Sequence, residues 1–317
     1  MNLFSFYISI IIYRIKYFIY NIFVNLLLVK FYNFYKYKSY YILFYRDNYI
    51  KKRVDYYNKI NLNFKLKPYK SDHSDIRILS NLKNAKYKFR NNQSAYLFDY
   101  LNIAKYYDSN KIISILPGDV VEIQNQPTLV KTRKLDCDNS NNILCKFNKI
   151  RHFHLFKDYI VFENKINKLV YRGGINRNNN IRRRFKKMFT SNKFMNIDDN
   201  YINPAEMTKY KFILSLEGND VATNLKWIMN TNSLCFMPKP TVESWFMEGT
   251  LIPNFHYVLI KDNFSDLINK IKYYSLNTDE SLKIIKNANN YVEQFKDLKR
   301  EHIIEVLVLD KYLKYNI

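Results

Sequence analysis

The strongest constraint on the fold of this chain is an alternation of two hydrophobic patterns in its last third. Short, continuous apolar runs of the kind that form buried strands alternate with segments that have helical periodicity. Such alternation is typical of βαβ units. The sequence therefore predicts an α/β fold with a parallel sheet. In chain order the segments are the strand KYKFILSL, the helix DVATNLKWIMNT, the strand NSLCFMP, the short helix TVESWFM, the strand NFHYVLI and the helix NFSDLINKIKYYS.

Two further strands are predicted earlier in the chain. The apolar run KIISIL at 111–116 is closed by Pro117 and Gly118, a dipeptide that marks a turn. A second apolar run, NKLVYRGG at 167–174, ends in a pair of glycines, and the segment RRRFKK after it has the pattern of a helix. The last two predicted elements are the helices TDESLKIIKNANNYVEQF and REHIIEVLVLDKYL.

The net charge of +23 is unevenly distributed along the 317 residues. Residues 1–130 hold 20 basic and 8 acidic side chains, and residues 131–200 hold 17 and 6. Residues 201–317 hold 14 of each, so this part is neutral. The basic part predicts a polyanionic partner such as nucleic acid, anionic lipid or a phosphorylated glycan. The neutral part is expected to face a different partner.

The N-terminal segment is rich in apolar residues. It contains two apolar runs, 1–13 and 17–29, which Arg14 and Lys16 separate. Each run is shorter than the roughly 20 residues that span a bilayer, and no signal-peptide pattern is clear. Two interpretations stay open: helices packed on the protein, or an interfacial segment at a lipid surface. Because three cysteines lie in no metal-like spacing, we expect a reducing compartment, and hence a cytoplasmic protein with peripheral membrane contact as one option.

The loop EGND at 217–220, after the strand KYKFILSL, is a candidate phosphate site. Gly218 permits a tight turn and a close backbone approach. The first turn of the predicted helix after it offers unpaired N–H groups and a partial positive charge, and Lys226 could add a cation. The alternative is an ordinary βα loop in which Asp220 only caps the helix.

The segment VYRGG is a second candidate. Arg172 lies at the end of a predicted strand before Gly173 and Gly174, a position suited to bidentate contact with a phosphate or diphosphate. The alternative is a surface arginine before a plain turn. The three arginines at 182–184 have the pattern of a solvated helix face.

These segments together resemble a known family. YRGG with an arginine-rich helix, followed by KYKFILSLEGNDVATNLKWIMNTNSLCFMPKPTVESWFMEGTLIPNFHYVLIKDNFSDL, resembles glycosyltransferase family 90, in particular its lipopolysaccharide-modifying branch. This branch is related to capsule-associated proteins and Rumi-type protein O-glucosyltransferases. The resemblance covers about residues 110–300, and the block 209–267 is its specific part.

The resemblance implies a fold and an activity. The fold is α/β and GT-B-like, with two Rossmann-like domains facing a cleft and with C-terminal helices. The domains would be an apolar and basic N-terminal segment (1–45), an acceptor-side domain (46–165) and a nucleotide-sugar donor domain with C-terminal helices (166–317). The activity is inverting, metal-independent transfer of a hexose from a UDP-sugar to a lipopolysaccharide or related anionic glycan, without a cofactor.

Such a transfer needs a base for the acceptor hydroxyl proton and cations or N–H donors for the leaving diphosphate. Family members take the base from an aspartate after a strand of the N-terminal lobe. Asp119 in SILPGDVVEIQNQP matches this position, and Glu122 lies three residues away.

The donor-binding residues that the resemblance carries over lie in three places: the YRGG segment, the loop and predicted helix after Glu217, and the strand NSLCFMP with the segment that follows it. Phe236 and Pro238 would lie near the uracil or ribose, and Glu243 near the ribose or sugar. Rumi-type relatives carry an arginine where this chain has Asn224, so a cation from Lys226 or from 182–184 would have to replace it. The full set is Arg172, Gly173, Gly174, Gly218, Asn219, Val221, Ala222, Thr223, Asn224, Lys226, Phe236, Pro238 and Glu243.

Three alternatives compete with this interpretation. Asp136 and Asp138 in LDCDN have the spacing of a metal-binding DxD pair, but the asparagine-rich surroundings favour a turn. A basic nucleic-acid-binding protein would explain the charge, yet no recognised binding motif is present, and no nucleic-acid partner is expected. A catalytically degenerate family member would bind a sugar nucleotide without turnover, in keeping with the missing arginine at Asn224.

Overall fold

The structure of this chain is a computed structural model. The structure describes residues 3–26, 40, 46–67, 75–78, 94–107, 112–174, 180–198, 200 and 202–317.

The described chain forms two compact units, and each is discontinuous in sequence. The first unit comprises Tyr13–Ile150, Val242–Trp245 and Asp297–Ile317. The second unit comprises Met1–Ile12, Arg151–Thr241 and Phe246–Lys296.

Helices and strands alternate along most of the chain, with short 3₁₀ turns at Phe162–Asn164 and Glu248–Thr250. The helices are α1 (Leu3–Leu26), α2 (Asn48–Tyr57), α3 (Ser94–Ala104), α4 (Lys149–His152), α5 (Asn180–Phe189), α6 (Pro204–Met207), α7 (Leu225–Ile228), α8 (Leu267–Leu276), α9 (Thr278–Glu293) and α10 (Leu298–Tyr315). The strands are β1 (Asp75–Ile78), β2 (Ile112–Leu116), β3 (Thr128–Val130), β4 (Thr132–Lys134), β5 (Asn142–Leu144), β6 (Ile166–Tyr171), β7 (Met195–Ile197), β8 (Tyr210–Leu214), β9 (Leu234–Met237), β10 (Val242–Ser244) and β11 (Val258–Leu259).

The first unit is built on a four-stranded sheet in the order β1-β2-β3-β5. Strands β2, β3 and β5 are parallel, and β1 runs antiparallel to β2. A separate antiparallel ribbon pairs β4 with β10, with Glu243 directly opposite Arg133. Helices α2 and α10 each begin at an aspartate cap, Asp47 and Asp297, whose carboxylates accept backbone N–H bonds from the first turn.

A buried carboxylate, Glu301 on α10, organises the core of the first unit. Its two oxygens accept from Arg53 at 2.9 Å, from Lys146 at 2.9 Å and from the indole N–H of Trp245 at 2.7 Å. Glu301 is 1% exposed. Burial acts to raise the pKa of this carboxyl, but the two cations and the hydrogen bonds outweigh burial and hold the pKa below its usual value. The Glu301 carboxylate thus connects four segments of the first unit that are far apart in sequence.

The second unit is a five-stranded, entirely parallel sheet in the order β11-β9-β8-β6-β7. Counted along this unit, the strand order is 2-1-3-4-5, a doubly wound arrangement whose direction of winding reverses between β6 and β8. Strand side chains such as Leu169, Phe212 and Phe236 are fully buried. They form one hydrophobic core with apolar side chains of α5, α8 and α9. The carboxyl ends of β6 and β8 therefore lie side by side at the switch point.

The predicted α/β class, the parallel sheet and the C-terminal helices are confirmed. One predicted helix is shorter than predicted, and one is wrong. The segment 220–231 forms only the four-residue helix α7, and the residues before it form a loop that the Asn224 side chain joins to the end of β8. The segment 241–247 contains strand β10, because its backbone pairs with β4.

The two N-terminal apolar runs form one continuous helix, α1, as far as Leu26. The last residues of the second run, 27–29, lie outside the described residues. Among the helices that the structure describes, none is both long and apolar enough to cross a bilayer.

Candidate functional site

The two glycine-containing loops predicted as phosphate sites follow neighbouring strands. The segment 172–174 leaves β6, and the segment 217–220 leaves β8. In open α/β sheets, ligands bind beyond the carboxyl ends of the strands at the point where the winding reverses. The fold of the second unit thus brings both predicted loops to the position where a ligand is expected.

One arginine fastens the two loops together. The guanidinium of Arg182, on α5, donates to the carbonyl oxygens of Leu216 at 2.8 Å, Glu217 at 3.1 Å and Gly174 at 3.2 Å. A Cβ atom at Gly218 would lie 3.0 Å from Nη2 of this arginine. Gly218 therefore leaves room for a cation against the loop backbone. Arg182 is half-buried rather than a fully solvated side chain of a helix face.

Arg172 is held across the edge of the sheet. Its Nη1 donates to the carbonyl oxygens of Tyr171 and Asn196 at 2.8 Å each, and its Nη2 donates to Oδ1 of Asn196 at 2.6 Å. The Nε atom is buried and has no hydrogen-bond partner among the described residues. These bonds fix the guanidinium at the carboxyl ends of β6 and β7.

The loop after Gly218 is fastened to β8 through Asn224. The Ser215 hydroxyl donates to Oδ1 of Asn224 at 3.0 Å, and Nδ2 of Asn224 donates to the carbonyl oxygen of Leu214 at 3.2 Å. Val221 and Ala222 are buried beneath the loop, Thr223 is half-buried and Asn219 is exposed. Because α7 has only four residues, its helix dipole is weak and adds little positive potential at this loop. Any phosphate contact here would rest on loop N–H groups and neighbouring cations.

The charge of Lys226 is directed into the interior. Lys226 and Glu248 are 0% and 1% exposed, and Nζ lies 2.7 Å from the carboxylate. The ammonium also lies 5.5 Å from the centre of the Phe246 ring. The buried pair holds this cation inside the second unit rather than at its loop surface.

The other three predicted donor residues occupy different settings. The Phe236 ring is fully buried against Phe212 and Tyr274. Pro238 follows β9 and is half-buried. Glu243 belongs to the first unit, where its carboxylate accepts from Arg133 Nε at 2.7 Å and from the Tyr56 hydroxyl. The prediction that these residues contact the donor stays untested.

A surface depression of about 450 Å³ lies further along the same edge of the sheet, at the carboxyl ends of β9 and β11. Such a volume is within the usual range for small-molecule pockets. Its lining residues are Lys239, Leu259, Ile260, Lys261, Asp262 and Asn263.

Asp119, the predicted base, follows β2 in the first unit. Its side chain is 36% exposed, and Oδ1 accepts from Nζ of Lys131 at 2.5 Å, while Lys131 itself is 3% exposed. The neighbouring Glu122 carboxylate is exposed and accepts the backbone N–H of Val121 at 3.2 Å. Asp119 thus combines access to solvent with a fixed position.

The aspartate pair in LDCDN lies in a turn, as its surroundings predict. Oδ1 of Asp138 accepts the backbone N–H of Ser140 at 3.0 Å. Within the described ranges, no cluster of three or more histidine, cysteine or carboxylate side chains is placed to hold a metal ion.

Sequence reasoning missed Lys131, Asn196 and the bonds of Arg182. For Lys131 a signal exists in PTLVKTR, because a lysine within an apolar strand run needs a carboxylate partner when it is buried. The partners of Asn196 and Arg182 are backbone carbonyls brought close by the parallel sheet, and side-chain patterns do not encode them.

Gly173 gives a direct test of the packing beneath these loops. A Cβ atom at this position would lie 2.3 Å from the hydroxyl oxygen and 2.6 Å from Cζ of Tyr171, whose ring is 1% exposed. We expect Gly173→Ala to lower the free energy of unfolding by about 1–3 kcal/mol, because the buried ring must move. Urea denaturation measures this change.

Gly174→Ala is the matched control for that substitution, since a Cβ there would meet no described atom within 4 Å. We expect it to change stability by less than about 0.5 kcal/mol. Equal effects of the two substitutions would contradict the packing described for Tyr171.

Comparison with known proteins identifies the family. The profile of glycosyl transferase family 90 matches residues 162–315. O-glucosyltransferase LpsA of Dichelobacter nodosus is 36% identical over 235 residues, which cover 70% of this chain and 73% of the relative.

Two more distant similarities cover a third of the chain. Protein O-glucosyltransferase 3 of Homo sapiens is 32% identical over 105 residues, or 20% of its own length. Uncharacterized protein 179R of Invertebrate iridescent virus 6 is 28% identical over 113 residues, or 9% of its length. The extent and identity of the match to the bacterial relative confirm the predicted family and enzyme class: this chain is a glycosyltransferase and belongs to glycosyl transferase family 90.

Proposed function

We propose that this enzyme transfers glucose from UDP-glucose to a hydroxyl group of a lipopolysaccharide or related anionic glycan, with inversion and without a metal ion. The observation that carries the proposal is the 36% identity, over 70% of this chain, with a bacterial O-glucosyltransferase. The two units are proposed to be the two Rossmann-like domains of a GT-B fold, as the family resemblance implies.

The donor diphosphate is proposed to bind at the switch point of the second unit. Arg172, Gly173 and Gly174 would approach it from the end of β6, and the loop from Gly218 to Asn224 from the end of β8. Loop N–H groups and fixed cations stabilise a leaving diphosphate without rearranging during the reaction. The depression at β9 and β11 would then receive the nucleoside.

Arg182 is proposed to supply the charge that Rumi-type relatives take from the arginine at the position of Asn224. Its guanidinium lies against the backbone of both loops, within 3.0 Å of a Cβ position at Gly218. Lys226 is the weaker candidate for this role because Glu248 already neutralises it.

Asp119 is proposed to accept the proton of the acceptor hydroxyl as that oxygen attacks the anomeric carbon. The oxygen–anomeric carbon bond forms on one face of the sugar while the bond to UDP breaks on the other, which inverts the configuration. Lys131 would act as a positioning residue, since its buried ammonium lies 2.5 Å from the Asp119 carboxylate. The excess of positive charge over residues 1–200 suits an acceptor rich in phosphate or carboxylate.

The test is release of UDP by the purified 317-residue chain from a panel of sugar nucleotides, with and without a lipopolysaccharide acceptor. We expect turnover with UDP-glucose, faster when acceptor is present and unchanged by a chelator. Binding of UDP without turnover of any donor would overturn the transfer reaction and favour a degenerate family member. Salt-sensitive RNA binding without UDP affinity would favour the nucleic-acid alternative.

The assigned role of Arg182 predicts a loss of donor affinity. We expect Arg182→Gln to weaken UDP binding about tenfold, because a charge-assisted contact is lost. Titration calorimetry with UDP measures the change. Arg183→Gln is the matched control, since this exposed arginine is next to it on α5. Equal affinities of the two variants would argue against a diphosphate site beside Arg182.

A further inference from the structure

Helix α1 carries an exposed stripe of isoleucines. Ile8, Ile11, Ile12, Ile15 and Ile19 are 38%, 52%, 44%, 51% and 59% exposed. At about 100° per residue, these five positions fall on one face of the helix over three turns. We call them the isoleucine stripe. Single exposed apolar residues are common on proteins, but a contiguous row of five indicates an interaction surface.

The opposite face of α1 bonds to α3 through Tyr17. The hydroxyl of Tyr17 donates to Oδ1 of Asp99 at 2.7 Å and to the carbonyl oxygen of Ala95 at 3.2 Å, both on α3. On the side of the helix next to Ile11, the ring of Phe18 makes an edge contact with Phe98, with centroids 6.0 Å apart. Since Tyr17 lies about 180° around the helix from the centre of the stripe, this attachment directs the isoleucines away from α3.

Positive charge lies on both sides of the stripe. Arg14 and Lys16 are exposed, and the helical rotation places them on opposite sides of the isoleucine row. The first 46 residues of the sequence contain six lysines and arginines and no aspartate or glutamate. An apolar face bordered by cations is the pattern of a helix that lies in the plane of a membrane interface.

We propose that the isoleucine stripe of α1 binds the surface of an anionic phospholipid bilayer, with Arg14 and Lys16 at the level of the headgroups. Charge complementarity favours this occupant over a second copy of the chain. Pairing two stripes would bring the cations of both helices together, whereas anionic headgroups neutralise them. The proposal does not rest on the sugar-transfer reaction, because none of its residues belongs to the proposed donor or base site.

The experiment is co-sedimentation of the 317-residue chain with vesicles of phosphatidylcholine alone and of phosphatidylcholine mixed with phosphatidylglycerol. We expect binding to the mixed vesicles, weakened by high salt, and little binding to the neutral ones. Ile11→Gln with Ile15→Gln should reduce binding to mixed vesicles at least tenfold. Leu276→Gln is the matched control, because Leu276 is 85% exposed on another helix and should leave binding unchanged.

A second variant keeps the test decisive if the glutamine variant fails to fold. Arg14→Gln with Lys16→Gln replaces only exposed side chains and should weaken binding about fivefold for each cation removed. Absence of binding to mixed vesicles by the folded wild-type protein would overturn the proposal. So would a dimer in sedimentation equilibrium that the isoleucine substitutions convert to a monomer, since this would assign the stripe to a second copy. UDP titration of the same samples separates these outcomes from failure of the proposed reaction.

Discussion

Replacing Asp119 by asparagine is expected to lower the rate of sugar transfer by about 10²- to 10⁴-fold while the affinity for UDP stays unchanged, because the acceptor proton loses its base. The carboxamide has nearly the same shape as the carboxylate and can still accept from Lys131. The substitution therefore removes basicity without opening a cavity. Initial rates of glucosyl transfer and titration with UDP, on the same preparation, measure the two quantities.

Two other carboxylates on the first unit provide the controls for Asp119. Glu122→Gln changes the nearest alternative base, and Asp138→Asn changes an exposed carboxylate that bonds within its own turn. Both variants should retain transfer within about twofold of the wild type, since neither removes the proposed base. If Glu122→Gln were inactive and Asp119→Asn active, the base would have to be reassigned to Glu122.

Replacing Glu301 by glutamine is expected to lower the free energy of unfolding by about 3–5 kcal/mol, because two buried cations lose their shared counter-charge. Arg53 and Lys146 are 4% and 5% exposed. Glutamine fills the same volume and can still accept from the Trp245 indole. The loss therefore measures charge rather than packing, and urea denaturation at neutral pH determines it.

Glu293→Gln is the control for that variant. Glu293 is 61% exposed, and its contact with Lys296 joins residues three apart on the surface. Removing such a pair should cost less than about 1 kcal/mol. A loss at Glu301 no larger than that at Glu293 would show that other groups compensate the two cations.

The pH dependence of the Glu301 effect follows from the direction of its pKa shift. The pKa of Glu301 is lowered in the folded protein, so the folded state favours the ionised form. Its stabilising contribution is full above the pKa of an unfolded glutamate, near about 4.3, and is lost as the pH falls through the lower folded value. The difference between wild type and Glu301→Gln should therefore shrink in acid below that range.

The parts of the site that sequence reasoning predicted are those encoded by local pattern. Strands β6 and β8 are apolar runs that end in glycine, so both their class and their loops could be predicted. Their adjacency is known only from the strand order, because β7, which lies between them in sequence, pairs with the other side of β6. The sequence resemblance also predicted glycosyltransferase family 90, and the comparisons with known proteins confirm this family.

The parts that sequence reasoning missed depend on residues far apart in the chain. Strand β10 was predicted as a helix because its partner, β4, lies more than a hundred residues earlier. The setting of Glu243 follows from Arg133 in the same way, and that of Lys226 from Glu248. Periodicity describes one segment at a time, so it contains no information about these pairings.

Two segments of the second unit, Arg151–Thr241 and Phe246–Lys296, interrupt the sequence of the first unit, which is completed by α10. During synthesis, Arg53 and Lys146 emerge from the ribosome long before Glu301 is translated. All segments of the second unit have been synthesised once Lys296 is added, whereas the first unit still lacks α10 at that point. A fragment that ends before Asp297 would therefore leave Arg53 and Lys146 without the carboxylate that they share in the folded protein.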